Sequence, residues 1–175
     1  MRSRRERFEA ITERGRISGI FLTVFFWLFV IVVALYLIDS PWITWSYLIL
    51  PVEVRWIGFG FGVVAVPLVW WAHRTLGEYF SYALEVKGGH RLVTSGPYSR
   101  VRHPVYTFHI LFSAGMALLA ANWLLLLFWV ISIPVAYQRM LTEEKMMIDR
   151  FGDEYIDYMK QTGRLVPRMS FRSDS

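Results

Sequence analysis

No cysteine occurs among the 175 residues. Its absence excludes disulfides, thiol nucleophiles and cysteine-ligated metals, and leaves the compartment open. No internal repeat and no low-complexity tract is present, so 1–175 reads as a single domain with a mostly polar tail after Pro167. Charge is missing in long blocks. Ser18 to Ile38 is 21 residues without a charge, Trp56 to Ala72 is 17, and Val105 to Tyr137 is 33. No cleavable-leader pattern follows the first block, whose apolar run is long and lacks a small-x-small site.

What fills those blocks is apolar. The chain is 55% hydrophobic and 17% aromatic, above an ordinary soluble domain. Twenty-one residues make a helix of about 30 Å, the thickness of a bilayer core, whereas 33 make roughly 50 Å, too long for one span. Asn122-Trp123 therefore reads as the turn of a hairpin between spans Val105–Ala121 and Trp123–Tyr137. The expected fold is an all-α integral membrane protein of about four transmembrane helices. Ser40–Pro51, "SPWITWSYLILP", is too short to cross and reads as an interfacial connection; a fifth span there is the alternative.

Lys and Arg set the orientation. Residues 1–17 hold six, 73–104 five and 138–175 seven, so 18 of the 19 lie on one side, with only Arg55 between the first two spans. That side is expected to be cytoplasmic, with both termini inside. The net charge of +5 then reflects topology and anionic lipid, not nucleic acid.

Two segments remain outside the spans. In Arg74–His103, "ALEVKGGHRLV" suggests a small hairpin followed by the turn residues "TSGPY". In Arg139–Gly163, Ile148, Phe151, Tyr155 and Tyr158 recur at helical spacing. This predicts an amphipathic helix that ends near Gly163, is weakened but not broken at Gly152, and covers a pocket at the cytoplasmic ends of the spans.

"RVRHPVY" stands at a helix mouth. Pro104 suits a first helical turn and His103 its N-cap, whose free N–H groups favour an anion. Arg100 and Arg102 add positive charge. Taken alone, an anchor for lipid phosphate is the simpler reading. Tyr106 and His109 follow at intervals of three, predicting one shared face, with His109 directed at the protein interior or a wet cavity; His73 reads as interfacial. In "RMLTEE", Arg139 and Glu143 are four apart. Alone they are a helical ion pair worth a few tenths of a kcal/mol; Glu144 reads as solvated or as part of the same cluster. Together, these groups on one membrane side suit a cofactor bearing a carboxylate and an ammonium group.

"HRLVTSGPYSRVRHPVY", followed after a hairpin by "RMLTEEKMMIDRFGDEYIDYMKQTGRLVP", resembles the isoprenylcysteine carboxyl methyltransferase family and the wider group of small membrane methyltransferases that includes phospholipid N-methyltransferases. The resemblance runs from about Leu76 to Pro167. It implies S-adenosyl-L-methionine as cofactor, held by His90, Leu92, Val93, Tyr98, His103, Pro104, Tyr106 and Glu143. It implies Arg139 as the acceptor-handling residue, with Arg139 and Glu143 as the catalytic pair, no metal, and a lipid-like or prenylated acceptor within membrane lipid. The membrane would be the inner membrane of a prokaryote or the endoplasmic reticulum of a eukaryote. Phe108 stands where many relatives have Gly, and its ring would narrow the site or reshape the lipid entrance. Carboxyl O-methylation is the leading activity. Amine N-methylation, a nicotinamide-dependent sterol-type reductase and a non-enzymatic lipid-binding scaffold are the rivals.

Overall fold

A computed structural model describes residues 4–77 and 92–168. Among the described residues there are five α-helices and no strand: α1 Arg4–Leu37, α2 Val52–Leu76, α3 Pro104–Ala120, α4 Trp123–Phe151 and α5 Asp153–Gln161. By length and composition α1 (as Gly19–Leu37), α2 and α4 are each able to cross a membrane, while α3 is an apolar helix of 17 residues.

The helices form a row. α2 packs along α3, α3 against α4, and α4 against α1. The α2–α3 contact is built on small residues. Gly58, Ala65 and Ala72, seven apart, are the buried positions of α2, and Gly58 meets Gly115 of α3 backbone to backbone. With no water to drive apolar helices together in lipid, such close approach is what makes them adhere.

The α3–α4 turn lies where expected. Ala121 takes a left-handed conformation (φ 47°), and Asn122 caps α4, its Oδ1 accepting from the N–H groups of Leu124 and Leu125 at 2.9 and 3.2 Å. Its Nδ2 donates to Ser46 Oγ at 2.7 Å. Ala117, Ala120 and Leu125 close this end of the hairpin against Phe29, Val32, Val33 and Tyr36 of α1. Residues 40–51 form no helix long enough to cross a membrane. They hold one short helical turn, Thr44–Ser46, and are tied to the hairpin by Asn122 and by Leu48 N–H donating to Ala121 O at 2.6 Å.

Two expectations are corrected. Arg139 does not begin a separate helix, because α4 runs unbroken from Trp123 to Phe151. Gly152 does break it: at φ 57°, a conformation costly to any residue with a β-carbon, it turns the chain into α5. That helix ends at Gln161, capped by Thr162 instead of Gly163. The expected hairpin around Gly88-Gly89 lies outside the described residues.

Candidate active site

α3 presents His103 at its N-cap and Tyr106 in its first turn. α4, which ends at Phe151, presents Glu143 and Glu144 about two turns before that end and Arg139 about three. Where α3 and α4 face each other, these side chains meet. Tyr106 OH donates to Glu143 Oε1 at 2.6 Å and accepts from Arg139 Nε at 2.9 Å. Arg139 Nε also reaches Glu143 Oε1 at 3.2 Å. The expected Arg139–Glu143 pair thus forms, but not as an exposed one: Arg139 is 5% exposed.

Glu144 is buried, at 4% exposure, and belongs to the cluster. Arg102 Nε donates to its Oε1 at 2.9 Å. Arg164 grips both oxygens, Nη2 to Oε2 at 2.6 Å and Nε to Oε1 at 3.1 Å. Arg102 is held further by the carbonyls of Met159 and Thr162. It is therefore turned inward, away from the lipid-phosphate role considered for it; Arg100 stays exposed.

His103 lies between the two glutamates. Its Nε2 is 3.3 Å from Glu144 Oε1 and its Nδ1 is 3.5 Å from Glu143 Oε2. Only the imidazolium carries a proton on both nitrogens. Burial opposes that charge, but the hydrogen bonds and charges of Glu143 and Glu144 outweigh it and raise the His103 pKa.

The base of α3 is covered by the irregular segment after α5. His103 N–H donates to Arg164 O at 3.1 Å, Arg102 N–H to Gly163 O at 2.8 Å and Gly163 N–H to Arg100 O at 3.1 Å. Thr107 Oγ1 donates to Leu165 O at 2.7 Å. A β-carbon on Gly163 would fall 1.7 Å from Val166 O, so only glycine permits this turn. Pro104 is fully buried beneath it. Tyr98 is buried in the turn Gly96–Ser99 and joins the layer through its carbonyl, which accepts from Tyr158 OH at 2.6 Å. Burial pushes the Tyr98 and Tyr155 hydroxyls up, and that of Tyr158 to about 12, so α5 contributes neutral phenols.

The remaining expected residues divide. Leu92 and Val93 are half-buried, as is Phe108; His90 lies outside the described residues. His109 does not share the face of His103 and Tyr106. Two steps of three residues drift about 120° around a helix, and His109 is exposed, its Nδ1 donating to Val105 O at 2.8 Å and its ring 5.9 Å from that of His73 on α2. From sequence, Arg102 reads only as a cation at the helix mouth, and Glu144 as solvated or part of the cluster; Arg164 is the member that no sequence signal pointed to. Among the described residues no three His, Asp or Glu side chains form a metal-binding group.

The arrangement can hold anions by charge and fix a carboxylate with a planar guanidinium. Comparison with known proteins agrees with that chemistry. Residues 56–149 match the profile of the isoprenylcysteine carboxyl methyltransferase (ICMT) family. A protein-S-isoprenylcysteine O-methyltransferase of Schizosaccharomyces pombe is 35% identical over 94 residues, 52% of this chain and 40% of that one. The nickel-cobalt-cadmium resistance protein NccN of Alcaligenes xylosoxydans xylosoxydans is 32% identical over 85 residues, 48% of this chain and 40% of that one. The chain thus matches about two-fifths of the length of these relatives. In fold it is similar to the eukaryotic intramembrane Ras methyltransferase ICMT, with a TM-score of 0.60 and 23% identity, over 95% of this chain and 54% of that one.

Proposed function

The chain belongs to the isoprenylcysteine carboxyl methyltransferase family, and on that premise we propose that this integral membrane protein methylates the carboxylate of a lipid-linked acceptor, an isoprenylcysteine or a close analogue, using S-adenosyl-L-methionine. Residues 76–167 would form the binding portion of a single domain with four spans, both termini and the site facing the cytoplasm.

One observation carries the reading of the acceptor. Among the described residues, four cationic or cation-forming side chains, Arg102, His103, Arg139 and Arg164, converge on two carboxylates, Glu143 and Glu144. With His103 protonated the cluster has two positive charges in excess. A buried excess of that sign favours anionic ligands, such as an acceptor carboxylate and the carboxylate of the methyl donor, and disfavours an amine, which arrives as a cation.

The donor set fits the cofactor. Glu143 is the more open carboxylate, its side chain 20% exposed against 5% for Glu144, and is placed to take the ammonium group. His103 and Tyr106, whose donors face Glu143 and Glu144 here, would turn toward the carboxylate of the cofactor, and Tyr98, Leu92, Val93 and Pro104 would supply wall. When bound, S-adenosyl-L-methionine supplies an electrophilic methyl on a sulfonium leaving group. Arg139 aligns the acceptor carboxylate by its fork. That carboxylate is already ionised at neutral pH, so the protein needs no general base, and its contribution is orientation and a preorganised field. Phe108 on α3 would border the lipid entrance.

The test is transfer of labelled methyl by the purified protein to prenylcysteines, fatty acids and phosphatidylethanolamine. Base-labile label on the carboxylate acceptors is expected. Label on phosphatidylethanolamine alone would overturn the O-methylation reading. Titration with S-adenosylhomocysteine and with NADPH separates methyl transfer from a reductase.

A further inference from the structure

We infer that Arg164 is a positioning residue for this site: by gripping Glu144 across both oxygens it sets how that carboxylate is shared with His103, and so holds the imidazole in register with Glu143. The inference rests on the methyl-transfer reading.

The Arg164 guanidinium bonds Glu144 and Tyr137, so its side chain reaches the His103 ring through Glu144. Its side chain is 29% exposed, against 8% for Arg102 and 5% for Glu144, which makes it the outer of the two arginines on Glu144. Its fork is fixed from the far side by Tyr137, whose hydroxyl accepts from Nη1 at 3.1 Å and whose ring centroid lies 5.4 Å from Cζ. Its own carbonyl receives the His103 N–H. One residue therefore holds the backbone of His103 and, through Glu144, its ring. Glu144 Oε1 is shared by Arg102, His103 and Arg164. Removing Arg164 still leaves Glu144 paired, so loss of the fork need not leave a buried charge unpaired.

The groups facing His103 are Glu143 and Glu144 from α4, Tyr106 from α3, the neighbouring Arg102, and Arg164 from the segment after α5; Tyr155 of α5 faces Glu144 and Arg102. Deleting the Arg164 charge removes a competitor for Glu144 and a positive neighbour of the imidazolium. His103 then keeps its proton to higher pH, while its orientation toward Glu143 loosens.

The experiment compares wild type, Arg164→Gln and Arg164→Lys in nanodiscs. The His103 imidazole is titrated by 15N NMR, assigned through His103→Asn, alongside steady-state methyl transfer to a prenylcysteine. Arg164→Gln is expected to move the His103 titration to higher pH and to lower kcat about tenfold with acceptor KM within about twofold, the pattern of a group that orients without binding. Arg164→Lys, which keeps charge but not the planar fork, is expected to leave the titration near that of wild type and still lower kcat. A His103 titration unchanged in Arg164→Gln overturns the inference, as does unchanged kcat in both variants. Should Arg164→Gln fail to fold, Arg164→Lys decides on kcat alone. Absence of methyl transfer in wild type sinks the functional reading instead, and the titration still judges whether Arg164 acts on His103.

Discussion

Gly58 of α2 and Gly115 of α3 leave no room for each other's side chains. A β-carbon on Gly58 would sit 2.7 Å from Gly115 O and 2.6 Å from Leu119 N, and one on Gly115 would sit 2.8 Å from Gly58 O. Most of those atoms are backbone and cannot swing aside. Ala at either position is expected to destabilise by about 1–3 kcal/mol, the usual cost of overpacking. Gly60, two residues along α2, meets nothing within 4 Å, and Ala there should be neutral or stabilising by up to about 1 kcal/mol from helix propensity. Thermal unfolding of the three variants in detergent checks this; equal midpoints for Gly58→Ala and Gly60→Ala would refute the close-contact assignment.

Asn122 is fully buried and makes three hydrogen bonds, two as the cap of α4 and one to Ser46. Asn122→Ala should cost about 2 kcal/mol. A double-mutant cycle with Ser46→Ala should show about 1 kcal/mol of coupling, because the loop and the hairpin turn share that bond. Strict additivity in chemical denaturation would mean the two do not interact.

Arg139 separates the acceptor readings. If it aligns a carboxylate, Arg139→Lys should bind S-adenosylhomocysteine nearly as wild type does while turnover of a prenylcysteine falls by about 10²-fold or more, since Lys lacks the planar fork. If it serves only Glu143, Lys should substitute almost fully. Steady-state kinetics beside cofactor titration decides; equal turnover rejects the carboxylate clamp.

His103 gives a pH dependence of known sign. Its folded pKa is raised above the ordinary 6.5. The stability from its contacts with the two glutamates is therefore fully present below about pH 6.5 and is lost as pH rises through the folded value. Compared with His103→Gln, wild type should be more stable by about 2 kcal/mol at pH 6, and that advantage should shrink under alkaline conditions. An advantage that grows with pH would contradict the double contact.

The apolar helices, the turn at Asn122 and the Arg139–Glu143 pair were legible because each is local: a charge-free run, a cap residue, a spacing of four. The burial and partners of Glu144 were not, since its arginines stand 42 and 20 residues away and only the fold chooses between a solvated carboxylate and a member of the cluster. Residues 143 and 144 point about 100° apart on a helix, yet both find cations because one looks toward Tyr106 and the other toward the segment after α5. The break at Gly152 was misjudged because glycine allows a left-handed turn without demanding one. His109 was misplaced by treating two steps of three as one face.

The row of helices has an order, α1–α4–α3–α2, that differs from their order along the chain. α1 and α2 are neighbours in sequence, yet α1 packs on α4 and α2 on α3. The 14 residues 38–51 can stretch to about 45 Å, enough to pass beneath the later hairpin. As the chain is synthesised, the first two helices enter the bilayer with nothing yet between them, and the α3–α4 pair arrives afterwards to part them. The loop's bonds to Ala121 and Asn122 can form only then, so the first half of the molecule remains unassembled until the second half is inserted.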